Sequence, residues 1–67
     1  MEDAPVMTAE EVAALLRVRA DWVYEMARRG VLPSYKLGKF RRFARADVLT
    51  WLHERRDGAY KQQRRTG

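Results

Sequence analysis

Lys36, Lys39, Arg41 and Arg42 crowd around a single bend at Gly38-Lys39. Four cations at one turn cannot build a core, but they suit a phosphate backbone, where each contact releases a condensed counterion. Other chemistry is thinly provided for. There is no cysteine, no Gly-rich phosphate loop and no pair of carboxylates beside an expected pocket. Ser34 is the sole serine, and His53 is the sole histidine, on a separate helix with no evident partner. A nucleophile–base pair therefore lacks its parts, and a zinc site would have to rely on carboxylates. The inventory points away from an enzyme and implies no cofactor and no metal.

The elements that must position those cations are legible on both sides of the bend. From Arg28 to Phe43 the chain reads as a helix end, a stop and a tight basic hairpin. Gly30 suits the left-handed conformation that closes a helix, and Pro33 prevents the helix from resuming. Tyr35 and Leu37 then run to the turn, and Phe40 to Phe43 run back. Upstream, Thr8-Ala9-Glu10-Glu11 is a capping box, with Met7 and Val12 at the two staple positions. Val12, Leu15 and Leu16 form an apolar stripe at helical spacing. Glu10 and Glu11 sit where the helix dipole favours negative charge.

A second helix is expected from about Ala20 to Arg29. Its buried face centres on Val23, with Met26, Ala27 and Gly30 on the same side and Trp22 at the edge. Asp21, Glu25 and Arg28 point the other way, with Tyr24 and Arg29 on the flanks. Two short helices so closely joined suit a helix-turn-helix, with Val18 plugging the corner. The basic hairpin that follows then takes the place of a wing. A third helix is expected from about Arg45 to Arg56, with the stripe Val48, Trp51, Leu52 and Arg55, and Gly58 as its stop. The expected core sets Val12, Leu15, Leu16, Val23, Met26, Val48, Trp51 and Leu52 face to face, which would leave the free protein monomeric.

The 67 residues make one domain. Residues 1–6 read as a flexible N-terminal arm, 7–58 as the winged helix-turn-helix, and 59–67 as a basic flexible tail carrying Lys61, Arg64 and Arg65 for further phosphate contacts. The fold class is mainly α with a small β-hairpin: three helices and a two-stranded wing between the second and third. Charge is segregated along the chain. Residues 1–16 carry −4 and no cation, whereas residues 17–67 carry +9, for a net +5. Such a distribution is an electrostatic footprint for a polyanion. No segment approaches the roughly 20 apolar residues of a membrane span, and Glu2-Asp3 is unlike a signal peptide, so a cytoplasmic protein is expected.

The aromatics divide. Trp51 falls on the third helix's stripe and reads as core. Trp22 stands at the start of the second helix, either as core or as a contact to sugar or a thymine methyl. Alternation from Phe43, taken as inward, puts Phe40 and Arg42 on the face opposite Arg41.

The order of Thr8-Ala9-Glu10-Glu11-Val12-Ala13, Leu15-Leu16, Val18, Val23-Tyr24, Arg28-Arg29-Gly30, Leu32-Pro33, Lys36-Leu37-Gly38-Lys39, Arg42-Phe43, Asp47-Val48 and Trp51-Leu52 resembles the small excisionase-type members of the MerR-like winged helix-turn-helix superfamily. The match spans residues 7–53, about 70% of the chain. Each piece alone is common; their order and spacing together are specific. The resemblance implies that the second helix enters the major groove and presents Arg19, Ala20, Asp21, Tyr24, Glu25 and Arg28, with Trp22 beside them. It implies that the wing tracks backbone or enters a minor groove through Lys36, Gly38, Lys39, Arg41 and Arg42, with Phe40 at the tip. Members commonly have Ser or Thr at the recognition-helix cap and Arg in its first turn; Arg19, Ala20 and Asp21 stand there instead. Asp21 either caps the helix itself or accepts from a cytosine amino group.

As a function, the resemblance implies a recombination directionality factor of a phage or integrative element. Such a factor binds tandem sites on double-stranded DNA, bends it, and directs a partner integrase toward excision, with copies cooperating head-to-tail. A small stand-alone MerR-like transcription regulator of the same fold is the alternative. A protein-interaction adaptor, its basic face meeting an acidic partner, is the alternative of another class.

Overall fold

A computed structural model of the protein describes residues 5–57. Its elements run β1 (Val6–Met7), α1 (Ala9–Leu16), α2 (Ala20–Arg28), β2 (Tyr35–Leu37), β3 (Phe40–Ala44) and α3 (Arg45–Glu54). Three helices and a small antiparallel sheet therefore make a helix-turn-helix with a wing. The expected tail, with Lys61, Arg64 and Arg65, the expected stop at Gly58, and residues 1–4 of the expected arm lie outside the described residues.

The end of that arm is a strand instead. Val6 pairs with Ala44 and Met7 with Phe43, so the sheet has three strands in the order β1-β3-β2 rather than the two of a bare hairpin. The Arg45 amide also donates to the Pro5 carbonyl at 2.9 Å. A lone hairpin is marginal in water, and β1 covers the second edge of its longer strand.

The capping box closes as expected. The Glu11 amide donates to Thr8 Oγ1 at 3.1 Å, and the Thr8 amide donates to Glu11 Oε1 at 2.8 Å. α1 then ends on Arg17, which takes the left-handed conformation at φ 60°. Its amide donates to the Ala14 carbonyl and that of Val18 to the Ala13 carbonyl, satisfying the last carbonyls of the helix. Val18 does not plug the corner and remains 39% exposed. The facing positions Ala9, Ala13 and Ala27 are small and buried, so α1 and α2 close on each other and leave Val18 at the rim.

α2 stops one residue before the expected end, with Arg29 as its cap residue. Gly30 at φ 80° then reverses the chain, and the amides of Val31 and Leu32 both donate to the Met26 carbonyl. This tight return buries Leu32 to 1% exposure. The core comprises Met7, Val12, Val23, Leu32, Phe43 and Val48 with Ala9, Ala13 and Ala27 between them. Leu15, Leu16, Met26 and Trp51 pack against its margin.

The third helix departs from expectation in two ways. It ends at Glu54, and Leu52 is not in the core but 47% exposed. α3 follows β3 without a loop and contributes Val48 to the core. Only Val48 is fully buried from this helix, and Leu52 faces solvent. Trp51 is half-buried, its indole N–H donating to the Val31 carbonyl at 2.8 Å, and the Arg55 guanidinium stacks 4.3 Å from its ring.

Candidate nucleic-acid interface

The wing is set by register. Tyr35 pairs with Arg42, Lys36 with Arg41 and Leu37 with Phe40, leaving Gly38-Lys39 as a two-residue turn. Gly38 sits at φ 64°, a conformation that costs a residue with a Cβ roughly 1–2 kcal/mol. Because side chains alternate, Lys36, Arg41, Phe43 and Met7 share the face toward the core. Phe40 and Arg42 share the other face with Tyr35, Leu37 and Val6. Phe43, with no exposed surface, fixes the wing to the core; the alternation read from it holds.

Between the wing and α2 lies a cleft of about 470 Å³. One wall is Asp21, Tyr24, Glu25 and Arg28 from α2; the other is Lys36, Lys39, Phe40, Arg41 and Arg42 from the wing. The remaining sequence-selected residues of α2 stand elsewhere. Ala20 packs against the margin of the core. Trp22 meets Trp51 edge-on, ring centroids 6.4 Å apart, and is 38% exposed. Arg19 is the cap residue of α2 but makes no side-chain capping bond. Its guanidinium turns to Asp21, Nε to Oδ1 at 3.3 Å and Nη2 to Oδ2 at 3.4 Å.

The two walls differ in how their cations are held. On α2, Glu25 takes Arg28 Nη2 on Oε1 at 2.5 Å and Arg29 Nε on Oε2 at 3.1 Å. The hydrogen bond from Arg28 holds the Glu25 carboxyl below its ordinary range. Likewise the bond from Arg19 lowers that of Asp21, and Asp21 raises the Arg19 guanidinium. On the wing, Lys36 Nζ donates to the Gly38 carbonyl at 3.1 Å and Arg41 Nη1 to Ser34 Oγ at 2.9 Å. Arg42 stacks on Phe40 with its guanidinium carbon 5.1 Å from the ring centre, and Lys39 Nζ lies 5.7 Å from the same ring. Among the described residues none of these four cations is paired with a carboxylate. A wall of unneutralised cations presented by neutral acceptors and one aromatic plane can take phosphate directly.

Arg29 and Ser34 belong to this arrangement but are not among the residues selected from sequence. The spacing Glu25-x-x-Arg28-Arg29 was the available signal, since positions three and four apart meet on a helix. For Ser34, pairing across the hairpin stem gives no signal in the sequence.

A short helical hairpin, a second helix flanking a basic cleft and a wing closing its far side define the helix-turn-helix class. The chain belongs to the helix-turn-helix domain family, whose model matches residues 6–56. It is also similar to the uncharacterized protein YvgK of Bacillus subtilis (strain 168), 40% identical over 48 residues, which are 72% of this chain and 16% of that protein. The chain thus spans about a sixth of the length of the curated relative it matches. No solved structure matches it. Among the described residues, no helix is long and apolar enough to cross a membrane.

Proposed function

We propose that the protein is a cytoplasmic, non-enzymatic binder of double-stranded DNA, with α2 in the major groove and the wing on the adjacent backbone or minor groove. The observation that carries this reading is the wall of four wing cations across the cleft from α2, none of them paired with a carboxylate among the described residues. Helix-turn-helix modules dock their second helix in the major groove, and phosphate contacts from a flanking element fix its register. The finer reading is an excisionase-type, MerR-like factor. It would bind tandem sites head-to-tail, bend the duplex and direct an integrase toward excision. The motif order from Thr8 to Leu52 supports it.

A transcription regulator is the second reading.

Roughly 4–7 phosphate contacts should give a log–log salt slope of about −4 to −6 on duplex DNA. A slope shallower than about −2 would remove the DNA reading. A recombination assay with the integrase encoded nearest to this protein's gene separates the finer readings: stimulation of excision is expected, and promoter repression without it would favour the regulator.

A further inference from the structure

The two walls of the cleft carry cations in different states, and one residue is responsible for most of the difference. Glu25 divides its carboxylate between Arg28 and Arg29, one oxygen to each. Its side chain is 40% exposed on the cleft wall, so the charge faces whatever enters. The neighbouring titratable groups are otherwise engaged: Asp21 holds Arg19, and the Tyr24 hydroxyl donates to Glu10 Oε2 at 3.4 Å. The titratable groups that line the cleft from the wing are all cations: Lys36, Lys39, Arg41 and Arg42.

A carboxylate in this position opposes binding to an arbitrary polyanion. It is repelled by phosphate, and it neutralises two arginines that would otherwise displace counterions. Base edges are another matter. A carboxylate accepts from the amino group of cytosine, and a guanidinium held through one terminal nitrogen keeps N–H groups for the acceptors of guanine.

We propose that Glu25 is the specificity-determining residue of this interface: by engaging Arg28 and Arg29 it withholds α2 from phosphate binding that ignores sequence, and only a duplex offering base-edge partners to the Glu25–Arg28 pair restores the interaction. The proposal rests on the DNA-binding reading above and assigns the two walls separate tasks. The wing supplies affinity. α2 supplies a conditional contribution that a wrong sequence does not release.

Glu25→Gln tests it, because the amide keeps the volume and one acceptor oxygen but loses the charge. The full chain and the variant would be titrated against a short duplex of arbitrary mixed sequence and against duplexes enriched from a random pool by the wild-type protein, between roughly 50 and 200 mM salt. On the arbitrary duplex the variant should bind on the order of 10-fold tighter, with a salt slope steeper by about one to two. The ratio of enriched to arbitrary affinity should fall by about 10-fold or more. An unchanged slope and ratio would overturn the proposal. Glu54→Gln changes the net charge equally from an exposed site on α3 outside the cleft, and should behave as wild type. If it reproduces the Glu25→Gln result, total charge explains the effect and the proposal falls. Wild-type protein with no salt-sensitive duplex binding would instead remove the DNA reading itself, and the proposal with it.

Discussion

Arg28 on α2 and Arg41 on the wing line the same cleft, yet Arg28 is bound to the Glu25 carboxylate and Arg41 to the Ser34 hydroxyl. The contrast extends to each wall. Arg28 on the α2 wall, and Arg19 and Arg29 at the two ends of that helix, each have a carboxylate partner on α2, whereas Lys36, Lys39, Arg41 and Arg42 have none among the described residues. The difference follows from local geometry. A helix brings residues three and four apart together, so Glu25 meets both Arg28 and Arg29, while Arg19 reaches Asp21 from just outside the helix. A two-stranded hairpin brings together only what is cross-paired, and Lys36 opposite Arg41 is a like-charged pair. That pairing is unfavourable in isolation, and an anion placed beside it would relieve the repulsion.

The largest effect should come from removing what makes the wing a wall at all. Phe43→Ala empties a fully buried site that fixes β3 to the core, at a cost of about 3–5 kcal/mol. In a domain this small that should abolish cooperative thermal unfolding, and with it duplex binding to any sequence. A near-normal melt would mean that the wing is anchored elsewhere.

A smaller effect divides the walls. Replacing Arg41 and Arg42 together with Ala should weaken enriched and arbitrary duplexes alike and make the salt slope shallower by about two. Arg28→Ala should leave the slope on arbitrary DNA nearly unchanged, because its charge is already neutralised. It should instead reduce discrimination by about 1–3 kcal/mol. Equal losses on both duplexes from all of these changes would erase the distinction between the walls and remove α2 from the major groove.

The smallest effect is on pH dependence. Asp21 and Glu25 have folded-state pKa values below their ordinary ones, through Arg19 and Arg28 respectively. The stability they add is therefore complete above the unfolded carboxylate pKa of about 4 and is lost as pH falls through the folded values. Both pairs are solvent-exposed, so the contribution is slight. Thermal melts of the wild type and of a combined Asp21→Asn, Glu25→Gln variant should differ a little near neutrality and converge in acid. A gap that widens as pH falls would contradict these assignments.

Sequence reading succeeded where the determinants are local. The capping box, the reversal at Gly30, the turn at Gly38 and the inward Phe43 each follow from a few adjacent residues. It failed where the reason for a conformation lies far away. Val6–Met7 is too short to announce itself, and becomes a strand only because β3 lies beside it. Arg17 takes a left-handed conformation with no glycine to mark it. Periodicity puts Leu52 on the apolar face of its helix, but cannot show whether another element covers it, and it is 47% exposed. Leu32 belongs to no stripe, so periodicity does not point to it; a tight return after α2 buries it. In the cleft, residue types were legible and partners were less so. Glu25 and Arg28 were placed on the outer face of α2, but a wheel projection does not say that one carboxylate serves two arginines.

The pairing of Val6 with Ala44 links positions 38 apart in the chain. α1 and α2 are neighbours in sequence and can dock early, since little chain entropy is lost in bringing them together. The third strand of the sheet cannot form until β3 has emerged and turned back onto residues made near the start. During synthesis the helical pair would therefore precede the anchored wing, and the transition state should be polarised toward α1 and α2. The last part to be secured is then the wing, so a chain that has not finished folding would hold α2 without the cations that, on the proposed reading, supply its grip.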